Sequence, residues 1–219
     1  VSATSLLLNG LAYPDEIPSQ SGNTGKFLTT DGTDTSWGTV APAGLTLLST
    51  VIASSSSTVD IETTFDSTYD TYVIYVTDLE MSAQSEYIKV RLKLGGVYKQ
   101  NGNSYSYHYQ ASHSNNAGYI GVAAGSEDRI QINSGMTNNT AEGGFDGLFY
   151  IQDPSNTRTN YRHRIMWQSV YVNNSNNVTT NSGAARHSGA GTGPMTGIRF
   201  FPSGGTFTKG TFRLYGIAK

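Results

Sequence analysis

The chain has 219 residues, a net charge of -2 and no cysteine, so disulfides, thiolate chemistry and cysteine-based zinc sites are excluded. Neither a basic footprint for nucleic acid nor a polybasic lure for anionic membranes is present. Charged residues make up only 14 %, while glycine (25) and tyrosine (14) are abundant; such a surface is poor in charge and rich in hydrogen-bonding groups.

The longest apolar runs, such as "SLLLNGLAY" near the start, fall far short of the roughly 20 residues a membrane span needs, so no membrane insertion is expected. The chain opens on Val1 with no basic stretch before an apolar one, the pattern of a trimmed or partial chain rather than a signal peptide. At Gly25–Trp37, "GKFLTTDGTDTSW" carries a hairpin signal, Asp31-Gly32, read as a two-residue type I′ loop. That register pairs Thr30 with Thr33, Leu28 with Thr35 and Lys26 with Trp37. Leu28 and Trp37 then share one face and Phe27 takes the other. An isolated hairpin with apolar groups on both faces cannot satisfy itself, and the flanking Pro, Gly and Ser segments offer it no core. Its natural partners are copies of itself about a symmetry axis, with Phe27, Leu28 and Trp37 at the subunit interface.

From residue 45 onward the pattern is strand after strand. "EYIKVRLKL" alternates, with Ile88, Val90, Leu92 and Leu94 on one face and Lys89, Arg91 and Lys93 on the other. "TVDIETTF", "TYVIYVTDL", "SYSYHYQAS", "DRIQIN", "GLFYIQD", "RHRIMWQSVYV", "GIRFFP" and "GTFRLYGI" are further strand candidates, separated by Gly, Asn, Ser and Pro turns. About ten strands without a helical period predict an all-β fold, an antiparallel sandwich of jelly-roll type over residues 45–219, preceded by a shaft or connector segment at 1–44. Three strands, around Val73, Leu148 and Met166, are apolar on both faces. A sandwich needs one apolar face per strand, so either loops fold over the outer face or another subunit covers it.

The stretch "IPSQSGNTGKFLTTDGTDTSW" resembles an element that recurs in tail fibre and related virion proteins of tailed bacteriophages. The matching positions are Pro18, Gly22, Asn23, Gly25, Lys26, Phe27, Leu28, Thr29, Thr30, Gly32, Thr33, Ser36 and Trp37. The ending "FTKGTFRLYGIAK" is similar to the closing strand of that family, through Gly210, Leu214, Tyr215, Gly216 and Ile217. The resemblance implies a homotrimeric virion protein, attached to other tail or baseplate proteins, whose terminal β domain binds a bacterial surface polysaccharide or lipopolysaccharide for host attachment. A purely structural virion component without a host ligand is the alternative, and a polysaccharide depolymerase a third reading.

Catalytic and metal chemistry find little support in the residues. "SGNTGK" lacks the spacing of a phosphate loop, since Gln20 stands where glycine is required and Phe27 comes directly after Lys26. His108 and His113 lie five apart, on opposite faces of one strand, and His163 sits between Arg162 and Arg164; neither arrangement suits a metal. The carboxylates stand in no recognisable catalytic setting. No enzyme activity, cofactor or metal is expected. "SYSYHYQ" puts Tyr105, Tyr107 and Tyr109 on one face and His108 on the other. Either the tyrosines are core, each hydroxyl reaching an edge partner, or their rings line a saccharide site. "NNAGY", "NSGMTNNTAEGG" and "NNSNNVTTNSGAARHSGAGTG" read as long polar loops, the last of which could meet acidic groups of a surface polymer through Arg186 and His187. The receptor-binding pool is Tyr105, Tyr107, His108, Asn115, Asn138, Trp167, Arg186 and His187, with a core position the alternative for Trp167.

Overall fold

The computed structural model describes residues 7–8, 11–12, 18–39, 44–62, 65–189 and 193–218. The remainder of the expected 1–44 segment, at 1–6, 9–10, 13–17 and 40–43, lies outside the described residues, as do residues 190–192 of the last polar stretch. The chain divides into two compact units, the second beginning at Gly44.

In the first unit, β1 (Leu7–Leu8) pairs with β2 (Leu11–Ala12), and β3 (Phe27–Thr30) with β4 (Thr35–Gly38). The β3–β4 register differs from the expected one. Leu28 stands opposite Trp37 and Thr30 opposite Thr35, so the turn spans four residues, Asp31 to Asp34. The cause is the Asp31 carboxylate, whose Oδ1 accepts from the amides of both Thr33 and Asp34 at 2.9 Å. That capture widens the loop and shifts the pairing by two residues, which leaves the faces unchanged. Trp37 donates its indole N–H to the Pro18 carbonyl at 2.9 Å, tying the preceding segment to the hairpin. Phe27 and Leu28 remain 45 % exposed.

The second unit contains β5 (Leu45–Ser56), β6 (Val59–Ile61), β7 (Thr71–Met81), β8 (Ile88–Leu94), β9 (Val97–Tyr98), β10 (Tyr105–His113), β11 (Asn116–Glu127), β12 (Ile130–Gln131), β13 (Phe145–Gln152), β14 (Arg164–Val172), β15 (Val178–His187), β16 (Met195–Pro202) and β17 (Phe207–Ile217). All pairings are antiparallel. Eight strands form one sheet in the order β11-β10-β15-β14-β13-β7-β17-β5. Five form the other, β12-β8-β16-β6 with β9 on β8.

Alternation in the sequence becomes burial in the fold. Every second residue of β8 is buried, Ile88, Val90, Leu92 and Leu94, as the period of two requires. Across the sandwich, Phe149 of the large sheet meets Phe200 of the small one edge-on at 5.0 Å, and Phe200 meets Phe212 at 5.1 Å. Polar ties cross the same interior. The Tyr105 hydroxyl accepts from the Leu92 amide at 2.8 Å and donates to the Lys99 carbonyl at 3.0 Å. The Ile132 carbonyl accepts from the Trp167 indole at 3.0 Å and from the Asn181 amide group at 2.8 Å.

Two stretches read as polar loops are strands. β11 begins inside "NNAGY", at Asn116, and continues to Glu127. β15 occupies the middle of the last polar stretch, paired on both sides within the large sheet. The reason the strand-like residues of β15 break off is steric. Its inward positions are Thr179, Asn181, Gly183, Ala185 and His187, and Gly183 lies beneath the Trp167 ring. A Cβ there would come within 2.3 Å of the indole and 2.6 Å of the His108 carbonyl. A glycine at 183 is the condition for seating Trp167, and with Ala184 and Ala185 beside it the strand signal of Val178, Thr179 and Thr180 is cut short.

Gly183→Ala should therefore lower stability by about 1–3 kcal/mol through overpacking, read as a shift in the denaturant midpoint at constant slope; an unchanged midpoint would refute this account of β15.

Candidate functional site

Because the large sheet is wider than the small one and pleated, its outward residues form cross-strand rows. One row runs His108–Ala184–Met166–Tyr150–Val73–Tyr215. The next is Gln110–Ser182–Gln168–Leu148–Tyr75–Arg213, and a third begins Ser112–Thr180–Val170–Asp146. The apolar residues that make three strands two-sided thus stand side by side. Val73, between Tyr150 and Tyr215, is buried, while Met166 and Val170 remain 49 % and 40 % exposed.

On β15 the outward residues are small, Thr180, Ser182 and Ala184, and longer side chains flank them on β10 and β14. The result is a trough. One hollow of about 630 Å³ lies among Tyr75, Gln110, Tyr119, Leu148, Gln168 and Val170. A second, of about 480 Å³, lies among His108, Tyr150, Gln152, Arg164, Met166 and Arg186. A third, of about 360 Å³, shares Gln110, Gln168 and Ser182 with the first and His108, Tyr150, Met166 and Ala184 with the second, so the three are continuous.

The chemistry of this trough suits a saccharide. Apolar ring faces come from Tyr75 and Tyr150, and Tyr75 is held edge-to-face against Tyr215 at 5.3 Å. Paired donors and acceptors come from Gln110 and Gln168, with hydroxyls from Ser182 and Thr180. Sugars present C–H faces to the first kind of group and hydroxyls to the second. Asp146 also lines the large hollow, and its Oδ1 is engaged by the Asp78 amide at 2.9 Å. Among the described residues, no group of three His, Asp or Glu is placed to hold a metal ion.

Of the eight nominated residues, His108 and Arg186 face the trough. Asn115 and Asn138 are exposed in connections and line none of the three hollows. The other four are corrections. Tyr105, Tyr107, Trp167 and His187 turn to the interior and are buried, although Tyr107 borders the second hollow and Trp167 the third. Tyr105 and Trp167 are held by the cross-sheet hydrogen bonds above. His187 packs edge-on to Tyr105 at 5.7 Å, and its Nδ1 meets the Gly189 carbonyl at 2.9 Å. Of the two readings of "SYSYHYQ", the core reading holds for the tyrosines. Tyr75, Gln110, Tyr150, Arg164 and Gln168 lie in the trough without having been nominated. The second apolar face of β7 and β13 is the signal for Tyr75 and Tyr150; Gln110, Arg164 and Gln168 come into the trough through the strand register.

No protein-family profile, curated protein or solved structure matches this chain.

Next to the trough, two buried histidines hold the β15–β16 connection. The His163 Nε2 donates to the Gly193 carbonyl at 2.9 Å and the His187 Nδ1 to that of Gly189. Burial pushes both imidazoles below their ordinary value, and for His187 the nearby Lys99 and Arg162 act in the same direction. The unfolded chain therefore takes up protons first as pH falls. Stability from these groups is complete above about pH 6.5 and is lost as pH drops below it. The melting temperature should fall between about pH 6.5 and 5, and the double variant His163→Gln/His187→Gln should flatten that slope; a wild-type profile already flat over this interval would contradict the assignment.

Proposed function

We propose that this chain is a tailed-bacteriophage fibre protein, a virion component whose second unit binds a bacterial surface glycan through the exposed trough of its large sheet. The trough carries the reading: tyrosine rings, glutamine amides and hydroxyls line adjoining hollows that share residues. The phage-fibre resemblance of residues 18–37 and 207–219 supplies the context. Exposure of Phe27 and Leu28 on the hairpin supports self-association as a homotrimer, and the remainder of the fibre would join other tail or baseplate proteins. Three linked copies of a shallow groove gain avidity of about 10²–10⁴ over one.

A second reading, a structural virion component without a host ligand, draws on Met166 and Val170 in the trough and on Leu47 and Ile52 along strand β5, all exposed apolar groups suited to a protein neighbour. Binding of purified protein to host cells and to extracted lipopolysaccharide or capsule separates the two.

If the trough is the glycan site, Gln110→Ala and Gln168→Ala should each weaken glycan binding about 3- to 10-fold, the value of one hydrogen bond, at unchanged melting temperature. Full retention of binding in the double variant would move the site elsewhere. For the assembly, light scattering at micromolar concentration should give three times the chain mass of 23.5 kDa. Trp37→Ala should loosen the trimer by more than about 1 kcal/mol, and a monomer mass for the unaltered protein would sink the trimer.

A further inference from the structure

At one end of the trough, Arg186 of β15 and Arg164 of β14 are direct cross-strand partners, and both are exposed. Directly opposed side chains in an antiparallel pair have Cβ atoms only about 4.5–5.5 Å apart, and like charges so placed repel. The same juxtaposition occurs once more in the domain. On the small sheet, Arg91 stands opposite Arg199. There the chain supplies the counter-charges. Arg91 contacts Asp128 at 2.6 Å, and Arg199 grips Asp60 through two nitrogens at 2.7 and 2.6 Å. Each guanidinium also lies over a ring, Phe201 at 4.8 Å and Tyr98 at 4.1 Å.

The Arg164–Arg186 pair has no such compensation. Among the described residues, no carboxylate lies within the 4 Å of an ion pair with either one. The hollow they border contains His108, Ser106, Gln152 and Tyr150, and no acidic residue. Arg164 is steadied by the Tyr161 ring, 6.0 Å from its guanidinium carbon. Two adjacent planar forks, at the edge of a largely apolar hollow that holds no acidic residue, match the geometry with which arginine takes carboxylate or phosphate oxygens in pairs.

We propose that Arg164 and Arg186 form a subsite for an anionic substituent of the bound saccharide, a carboxylate or phosphate group, so that the trough selects acidic surface polymers over neutral ones. This rests on the reading of the trough as a saccharide site. The ligand's anionic group supplies the missing counter-charge, as Asp60 and Asp128 supply it within the chain on the other sheet.

The test is a glycan array carrying neutral, uronate- or sialate-bearing and phosphorylated bacterial saccharides, probed with the full chain and with Arg164→Gln and Arg186→Gln. The unaltered protein should prefer acidic saccharides, and each variant should lose about 10- to 100-fold against them, as expected for charge-assisted hydrogen bonds, and less against neutral ones, so that the preference narrows. Whether carboxylate or phosphate spots respond identifies the anion. The variants' melting temperature should stay level or rise by about 1–3 °C, because a repulsion is removed. Variants that bind acidic saccharides as tightly as the unaltered protein, or a preference for neutral ones, would overturn the subsite and leave the saccharide trough standing. Absence of binding to every saccharide would overturn both.

Discussion

The seat of the Trp167 indole is the constraint around which the large sheet is arranged. The ring packs over Gly183 of the neighbouring strand, and its N–H reaches across the sandwich to the Ile132 carbonyl. Asn181, two residues before Gly183, donates to the same carbonyl. A buried indole N–H or carboxamide without a partner costs several times what a satisfied one contributes. Both donors depend on the segment after β12 running where it does, and that segment in turn depends on Asn133, whose side chain receives the Ile88 amide at 2.8 Å. A chain of polar contacts thus fixes the distance between the two sheets at this level, and the aromatic cluster of Phe149, Phe200 and Phe212 fills the space so defined.

One strand is thin in both directions, with separate effects. Inward, Gly183 of β15 admits Trp167. Outward, Thr180, Ser182 and Ala184 leave the floor of a groove between the longer residues of β10 and β14. The interior packing and the exposed site therefore share a strand whose composition looks like that of a linker. The small sheet shows the opposite strategy. Its outward face is crowded with Lys93, Arg91, Arg199 and Tyr98, and these are engaged by Glu62, Asp128 and Asp60.

Much of the architecture could be read from residue order. β7, β8, β10, β13, β14, β16 and β17 declare themselves through alternation and β-branched or aromatic content, and the interior they build is the expected one. β11 and β15 could not be read, because the glycine, alanine, serine and asparagine among their residues carry the composition of a loop; at Gly183 the partner strand shows why the residue is small. The hairpin register was beyond reach for a related reason, since Asp31 can end a two-residue turn or, by holding two amides, open a four-residue one. At the candidate site, His108 and Arg186 were legible as outward and polar residues. For Tyr105, Tyr107 and Trp167 the core was one of two legible readings, since aromatic residues recommend themselves both for stacking on sugars and for filling a sandwich, whereas His187 was not legible as core. Arg164 became visible only when the register set it opposite Arg186.

The tyrosines buried in the interior set an alkaline boundary on the fold. Burial raises the phenols of Tyr72 and Tyr109 to about 12, and those of Tyr105, Tyr107 and Tyr171 shift in the same direction for the same reason. A phenol that ionises near about 10 in the unfolded chain and later in the folded one favours unfolding progressively above that pH. The Tyr105 hydroxyl also donates to the Lys99 carbonyl, so loss of its proton removes a tie as well as introducing charge. Several such groups acting together make the transition steep. The hydroxyls that let large rings be buried with their polar ends satisfied are the same groups that cap the domain's tolerance of base.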